Sequence, residues 1–73
     1  MSDYDAWGAG WLLGKYQQYQ PWPDESQLDE WIDGFKVGTT EVGEFHIWPQ
    51  QLWEYSQGMN APDYVIKYAR KPK

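Results

Sequence analysis

PWPDESQLDEWIDGFKVG, residues 21–38, is the stretch whose pattern sets the architecture of this chain. Leu28, Trp31, Ile32 and Phe35 fall at i, i+3, i+4 and i+7, which puts four apolar side chains on one face of a helix. That face has to be buried. Asp24 is placed to cap the helix, with Gln27 as the second half of a capping box and Pro23 just before the start. Gly38 is expected to end it, as a left-handed residue commonly does. Asp29, Glu30 and Asp33 lie on the other side, so the helix offers an aromatic face inward and an acidic face outward.

Upstream, Tyr4 to Gln18 reads as a first helix, with Tyr4, Trp7, Gly8 and Trp11 along one stripe and Gly10, Leu13 and Gly14 along the next. Glycine inside a helix costs about 1 kcal/mol relative to alanine. Gly8, Gly10 and Gly14 therefore need a reason, and a close approach by the helix that carries Trp31 and Phe35 supplies one. Between the helices, Pro21 and Pro23 push Gln20 and Trp22 towards extended geometry, so 17–23 is a connector. Trp22 is then a lid over the helix pair or an exposed anchor. The lid is favoured, because so small a domain needs its aromatics for the core.

Downstream of Gly38 the pattern changes. Thr39 to Trp48 carries β-branched and aromatic residues broken by Gly43, and Tyr64 to Tyr68 (YVIKY) is a second β-like run. Between them Pro49 can open a short helix through Gln50, Leu52, Trp53 and Tyr55, with Gly58 past its end. The expected fold is α+β: two packed N-terminal helices, about 4–18 and 25–37, with a small C-terminal β-pair (Phe45–Trp48 with Tyr64–Tyr68) and a short helix. A helical reading of Asp63 to Arg70 is nearly as good, since Pro62 and Asp63 suit a helix start. Residues 70–73 read as a mobile tail.

The 73 residues are read as one domain, near the size below which a single core barely offsets chain entropy. With no cysteine and one histidine, neither a disulfide nor a four-ligand zinc site can supply the difference. Aromatic mass can: six Trp, six Tyr and two Phe are available, each able to remove about 150–250 Å² from water. No run of about 20 apolar residues suggests a membrane span, and the N-terminus lacks the basic region of a signal peptide, so the expectation is a soluble protein of the cytoplasm. Charge is unevenly placed. Residues 1–63 hold all eleven acids and two lysines, a net −9, while 64–73 hold Lys67, Arg70, Lys71 and Lys73, a net +4. The body should repel nucleic acid; the tail alone can attract it.

Little chemistry is on offer. Nucleophilic catalysis needs a nucleophile held by a base, and Ser2, Ser26 and Ser56 have no motif around them. His46 is better read as packing or titrating at a strand edge than as a ligand. The pairs Asp24-Glu25 and Asp29-Glu30 are solvated helix charges rather than an acid and base. Gly8, Gly10 and Gly14 lack the preceding strand and following lysine of a phosphate loop. No cofactor is implied, and an enzyme is not expected. Elimination leaves a binding module with two candidate surfaces. One is the acidic face of Asp29, Glu30 and Asp33, suited to a basic protein surface or to mimicry of nucleic-acid phosphates. The other is the aromatic and basic C-terminal part, with Trp48, Trp53, Tyr55, Tyr64, Lys67, Arg70 and Lys71, rich in the types that anchor interfaces. Trp48, Trp53 and Tyr64 serve equally well as core.

The central stretch resembles the ribosome modulation factor family of ribosome-binding bacterial proteins. The residues that carry the likeness are Ala6-Trp7, Ala9-Gly10 and Gly14, then Pro21-Trp22, then Trp31-Ile32-Asp33-Gly34-Phe35. The likeness covers about half the chain and implies a two-helix fold. Members of that family are strongly basic, whereas residues 1–63 here are acidic, and residues 39–73 have no counterpart in it. In length, acidity and Trp/Tyr content the whole chain is similar to small phage-encoded regulators of bacterial RNA polymerase. That likeness implies binding to the β′ and β subunits, displacing the σ factor to inhibit initiation and suppressing termination; the expected protein is a monomer in the cytoplasm of the bacterial host. It carries over no binding residues. The remaining alternatives are a ribosome-associated factor, an acidic nucleic-acid mimic, and a secondary nucleic-acid contact through the tail.

Overall fold

The computed structural model describes residues 4–43 and 48–70, and among these the chain is all-helical. Helix α1 spans Ala6–Tyr16, α2 Leu28–Glu41, α3 Trp48–Gly58 and α4 Asp63–Ala69, with a 3-10 turn at Glu25–Gln27 leading into α2. The expected α+β class is therefore wrong. Tyr64–Tyr68 lies inside α4, so it offers no strand for a β-pair. The partner strand, Phe45–Trp48, lies outside the described residues except for Trp48, which opens α3. The YVIKY run is β-branched, yet Val65 and Ala69 one turn apart are buried at 0% and 7% exposure. Burial along a helical face overrides the strand preference of single residues.

Helices α1 and α2 run parallel and touch backbone to backbone. A Cβ at Gly10 would strike the Trp31 carbonyl oxygen, and one at Gly14 would come 2.5 Å from the Phe35 carbonyl oxygen. From the other side, a Cβ at Gly34 would strike the Trp7 carbonyl oxygen, and one at Gly38 would lie 2.5 Å from that of Trp11. Contacts thus advance in the same direction along both chains. Each helix contributes two glycines four residues apart, the small-xxx-small spacing that lets helix backbones approach closely. The close approach expected for Gly10 and Gly14 is present; Gly8 instead faces the side chain of Asp5. Gly38 does not end α2, which continues to Glu41, because its bare Cα is needed in this seam. The expected capping box is also missing: Asp24 caps the 3-10 turn without a side-chain hydrogen bond.

Parallel helices need a return path. Helix α1 is about 16 Å long at 1.5 Å per residue, a span the extended connector covers easily. The connector is clasped at both prolines. Tyr4 Oη donates to the Pro21 carbonyl at 2.8 Å, and Tyr64 Oη donates to the Pro23 carbonyl. Between them the Trp22 indole N–H donates to the Met59 carbonyl at 3.1 Å, while its ring lies 5.0 Å from that of Trp31. Trp22 is thus the lid, half-buried against the core.

Trp31 and Phe35 stack at 5.4 Å with planes 8° apart, and Tyr55 of α3 meets the Phe35 ring edge-on at 5.6 Å. Such pairs add about 0.5–1.5 kcal/mol each beyond area burial. Leu52 of α3 and Val65 of α4 complete this centre, both fully buried. Beyond the end of α3, Asn60 takes a left-handed φ of 53° while the Ala61 N–H donates to the Ser56 carbonyl. Gly58, expected past the end, is the last helical residue.

Candidate functional site

Among the residues whose burial is described, the exposed aromatic side chains sit on α1 and in the connector after it. Trp7 is 37% exposed, Tyr16 59% and Tyr19, in the connector, 56%. They are outside because the glycine seam turns the other face of α1 inward. Ala6, Ala9, Gly10, Leu13 and Gly14 are buried, leaving Trp7 and Trp11 to lie over the flank of α2.

Both indoles are pinned by carboxylates. The Trp7 N–H donates to Asp33 Oδ2 at 2.7 Å, and the Trp11 N–H donates to Glu41 Oε1 at 2.8 Å. Lys15 completes a small cluster around Trp11. Its Nζ is 3.3 Å from Glu41 Oε1, 4.9 Å from the Trp11 ring centroid and 5.5 Å from that of Tyr16. Trp11 and Tyr16 meet edge to face at 5.6 Å. The Glu41 carboxyl is held below its ordinary pKa, chiefly by the Trp11 N–H and then by Lys15, against an opposing effect of desolvation. The result is an ordered aromatic ridge. Its rings are fixed before any partner arrives, which lowers the entropy lost on binding. A shallow depression beside it on α2 is lined by Asp33, Lys36, Val37, Thr40 and Glu41.

The sequence-derived site residues divide sharply. Trp53, Tyr55 and Tyr64 are partly buried and pack against the core. Arg70 lies over the Trp53 ring at 5.1 Å, joining α4 to α3. Lys67 is exposed on α4, Trp48 begins α3, and Lys71 lies outside the described residues. On the acidic face, Asp29 and Glu30 are exposed as expected, while Asp33 is committed to Trp7. Asp29 also faces α4: burial raises the Tyr68 pKa, and the Asp29 charge raises it further. Sequence reasoning puts Trp7 and Trp11 on one stripe of the first helix without assigning either to a binding surface, and so misses the ridge. The signal was the Ala6, Ala9, Gly10, Leu13, Gly14 set, a more continuous small-residue face competing for the core.

Among the described residues no group of acids, histidines or cysteines is arranged to hold a metal, and no helix is long and apolar enough to cross a membrane. Comparison with family models, with curated proteins and with solved structures finds no match.

Proposed function

We propose that this protein is a non-catalytic binding module that occupies a surface of bacterial RNA polymerase, engaging the β′ and β subunits so as to displace σ and suppress termination. The observation that carries the binding reading is the ridge of Trp7, Trp11 and Tyr16, with both indoles held by Asp33, Glu41 and Lys15, Trp7 and Tyr16 exposed and Trp11 half-buried between them. Large aromatics that a small core leaves outside are the side chains most often found as interface anchors. The choice of polymerase rests on the likeness of the whole chain, in length, acidity and aromatic content, to small phage-encoded polymerase regulators.

A second reading, a ribosome-associated factor, is favoured by one observation. Gly10, Gly14, Trp31, Gly34 and Phe35, which carry the resemblance to the ribosome modulation factor family, are residues of the α1/α2 seam and core. The acidic body argues against docking on RNA, so in this reading an RNA contact falls to the basic end with Lys67, Arg70 and Lys71. Affinity capture from bacterial lysate with tagged protein at moderate salt, read by mass spectrometry, separates the two. Recovery of β and β′ with little σ is expected. Recovery of ribosomal proteins without polymerase would replace the first reading by the second, and recovery of neither would defeat both.

A further inference from the structure

The two ends of the ridge are built alike but filled differently. At Trp11, an indole, a carboxylate on its N–H (Glu41) and a cation over its ring (Lys15) form a closed cluster. At Trp7 the indole and the carboxylate on its N–H (Asp33) are present, the residue is 37% exposed, and no cation among the described residues lies over its ring. Lys36, one turn along α2, forms no ion pair with Asp33 among the described residues. Glu30, exposed one turn before Asp33 and four residues before the Gly34 that abuts Trp7, adds a second negative charge on that side. An aromatic face beside carboxylates is the environment that best accepts a guanidinium or ammonium group.

We propose that Trp7, Asp33 and Glu30 form an open cation-binding anchor that takes an arginine or lysine side chain from a basic segment of the partner protein. This rests on the reading of the protein as a binding module and names the chemistry of the partner at that site. Lys15 over Trp11 is the intramolecular version of the contact; at Trp7 the partner supplies the cation. The acidic body, net −9 over residues 1–63, draws a basic segment in by long-range attraction.

The direct test titrates ¹⁵N-labelled protein with a short peptide carrying two arginines among glycines and serines, following the indole N–H resonances. Saturable shifts at Trp7, with Trp22 and Trp53 unmoved, are expected. Asp33→Asn keeps an oxygen to accept the Trp7 N–H but removes the charge; with Glu30→Gln it should weaken peptide binding about tenfold. The same spectra report whether the variant stays folded, and a single Glu30→Gln variant, at an exposed position, should still weaken binding if the double variant does not fold. No saturable shift, shifts centred on α3 and α4, or equal binding by the neutralised variants would overturn the anchor. Capture from lysate separates this from the functional reading. Polymerase captured equally by wild type and Asp33→Asn/Glu30→Gln removes the anchor and leaves polymerase binding standing. Peptide bound at Trp7 with polymerase never captured keeps the anchor and removes polymerase.

Discussion

A methyl group added at Gly34 would be driven into the carbonyl oxygen of Trp7, and the next nearest atoms, the Trp7 carbonyl carbon and the Trp11 nitrogen, are likewise backbone atoms of α1 that cannot step aside. Relief would require the two helices to move apart along the seam. That in turn loosens the stacked Trp31 and Phe35 beneath it. Overpacking a well-filled interior costs about 1–3 kcal/mol, and a clash against backbone belongs at the upper end. Gly58 is the matching control: it is helical, its φ is not left-handed, and nothing lies within 4 Å of a Cβ placed there. Alanine at that position should be neutral or stabilising by up to about 1 kcal/mol. Urea unfolding followed by Trp fluorescence should therefore show Gly34→Ala losing about 3 kcal/mol and Gly58→Ala losing none. Similar midpoints for the two variants would mean that the seam is looser than its geometry.

The connector shows how an element without regular structure is held by its neighbours. Tyr4 and Tyr64 approach it from α1's leading end and from α4, and each donates its phenolic proton to a proline carbonyl. Burial, followed by the Asp24 charge, pushes the Tyr4 pKa up to about 12, and the same two causes raise Tyr64. In the unfolded chain a tyrosine ionises near 10. The folded protein therefore holds the phenol protons more tightly, and stability from the clasp is whole below pH of about 10 and is lost as pH rises towards 12. Tyr4→Phe/Tyr64→Phe should be less stable at pH 8, by about 1 kcal/mol per lost hydrogen bond, yet should show a shallower loss of stability between pH 10 and 12. Parallel pH profiles for wild type and variant would exclude the clasp as the source of alkaline sensitivity. The two long helices and the connector were legible in the sequence because Leu28, Trp31, Ile32 and Phe35 are periodic and two prolines break the run. The reach of α2 was not. Gly38 carries the same one-letter signal whether it ends a helix or admits a neighbouring backbone, and only the register with Trp11 decides. Helix α4 was ambiguous for a related reason: in seven residues, a period of two and a period of 3.6 are hard to tell apart.

For the molecule as a whole, the split between an acidic body and a basic end takes on a different meaning once Val65 and Ala69 are seen in the core. Deleting Tyr64–Lys73 would remove the clasp on Pro23 and a wall of the hydrophobic centre, so it tests folding rather than binding. Charge removal at Lys67 and Arg70, both exposed, leaves the backbone of α4 in place. Arg70 contributes its contact with Trp53, worth about 0.5–1 kcal/mol at an exposed site, so thermal unfolding of Lys67→Gln/Arg70→Gln should show a modest shift and an intact transition. Binding then separates the candidate partners. If the protein meets polymerase through the α1 ridge, α4 contributes no side chain to that contact, and affinity should change by no more than about twofold, the scale of a lost surface charge. If it meets ribosomal RNA through its basic end, each lost phosphate contact should flatten the dependence of log affinity on log salt by about 0.7–0.9. Measured from 50 to 200 mM salt, an unchanged slope supports the ridge, and a slope flattened by about 1.4–1.8 would move the functional surface from α1 to α4.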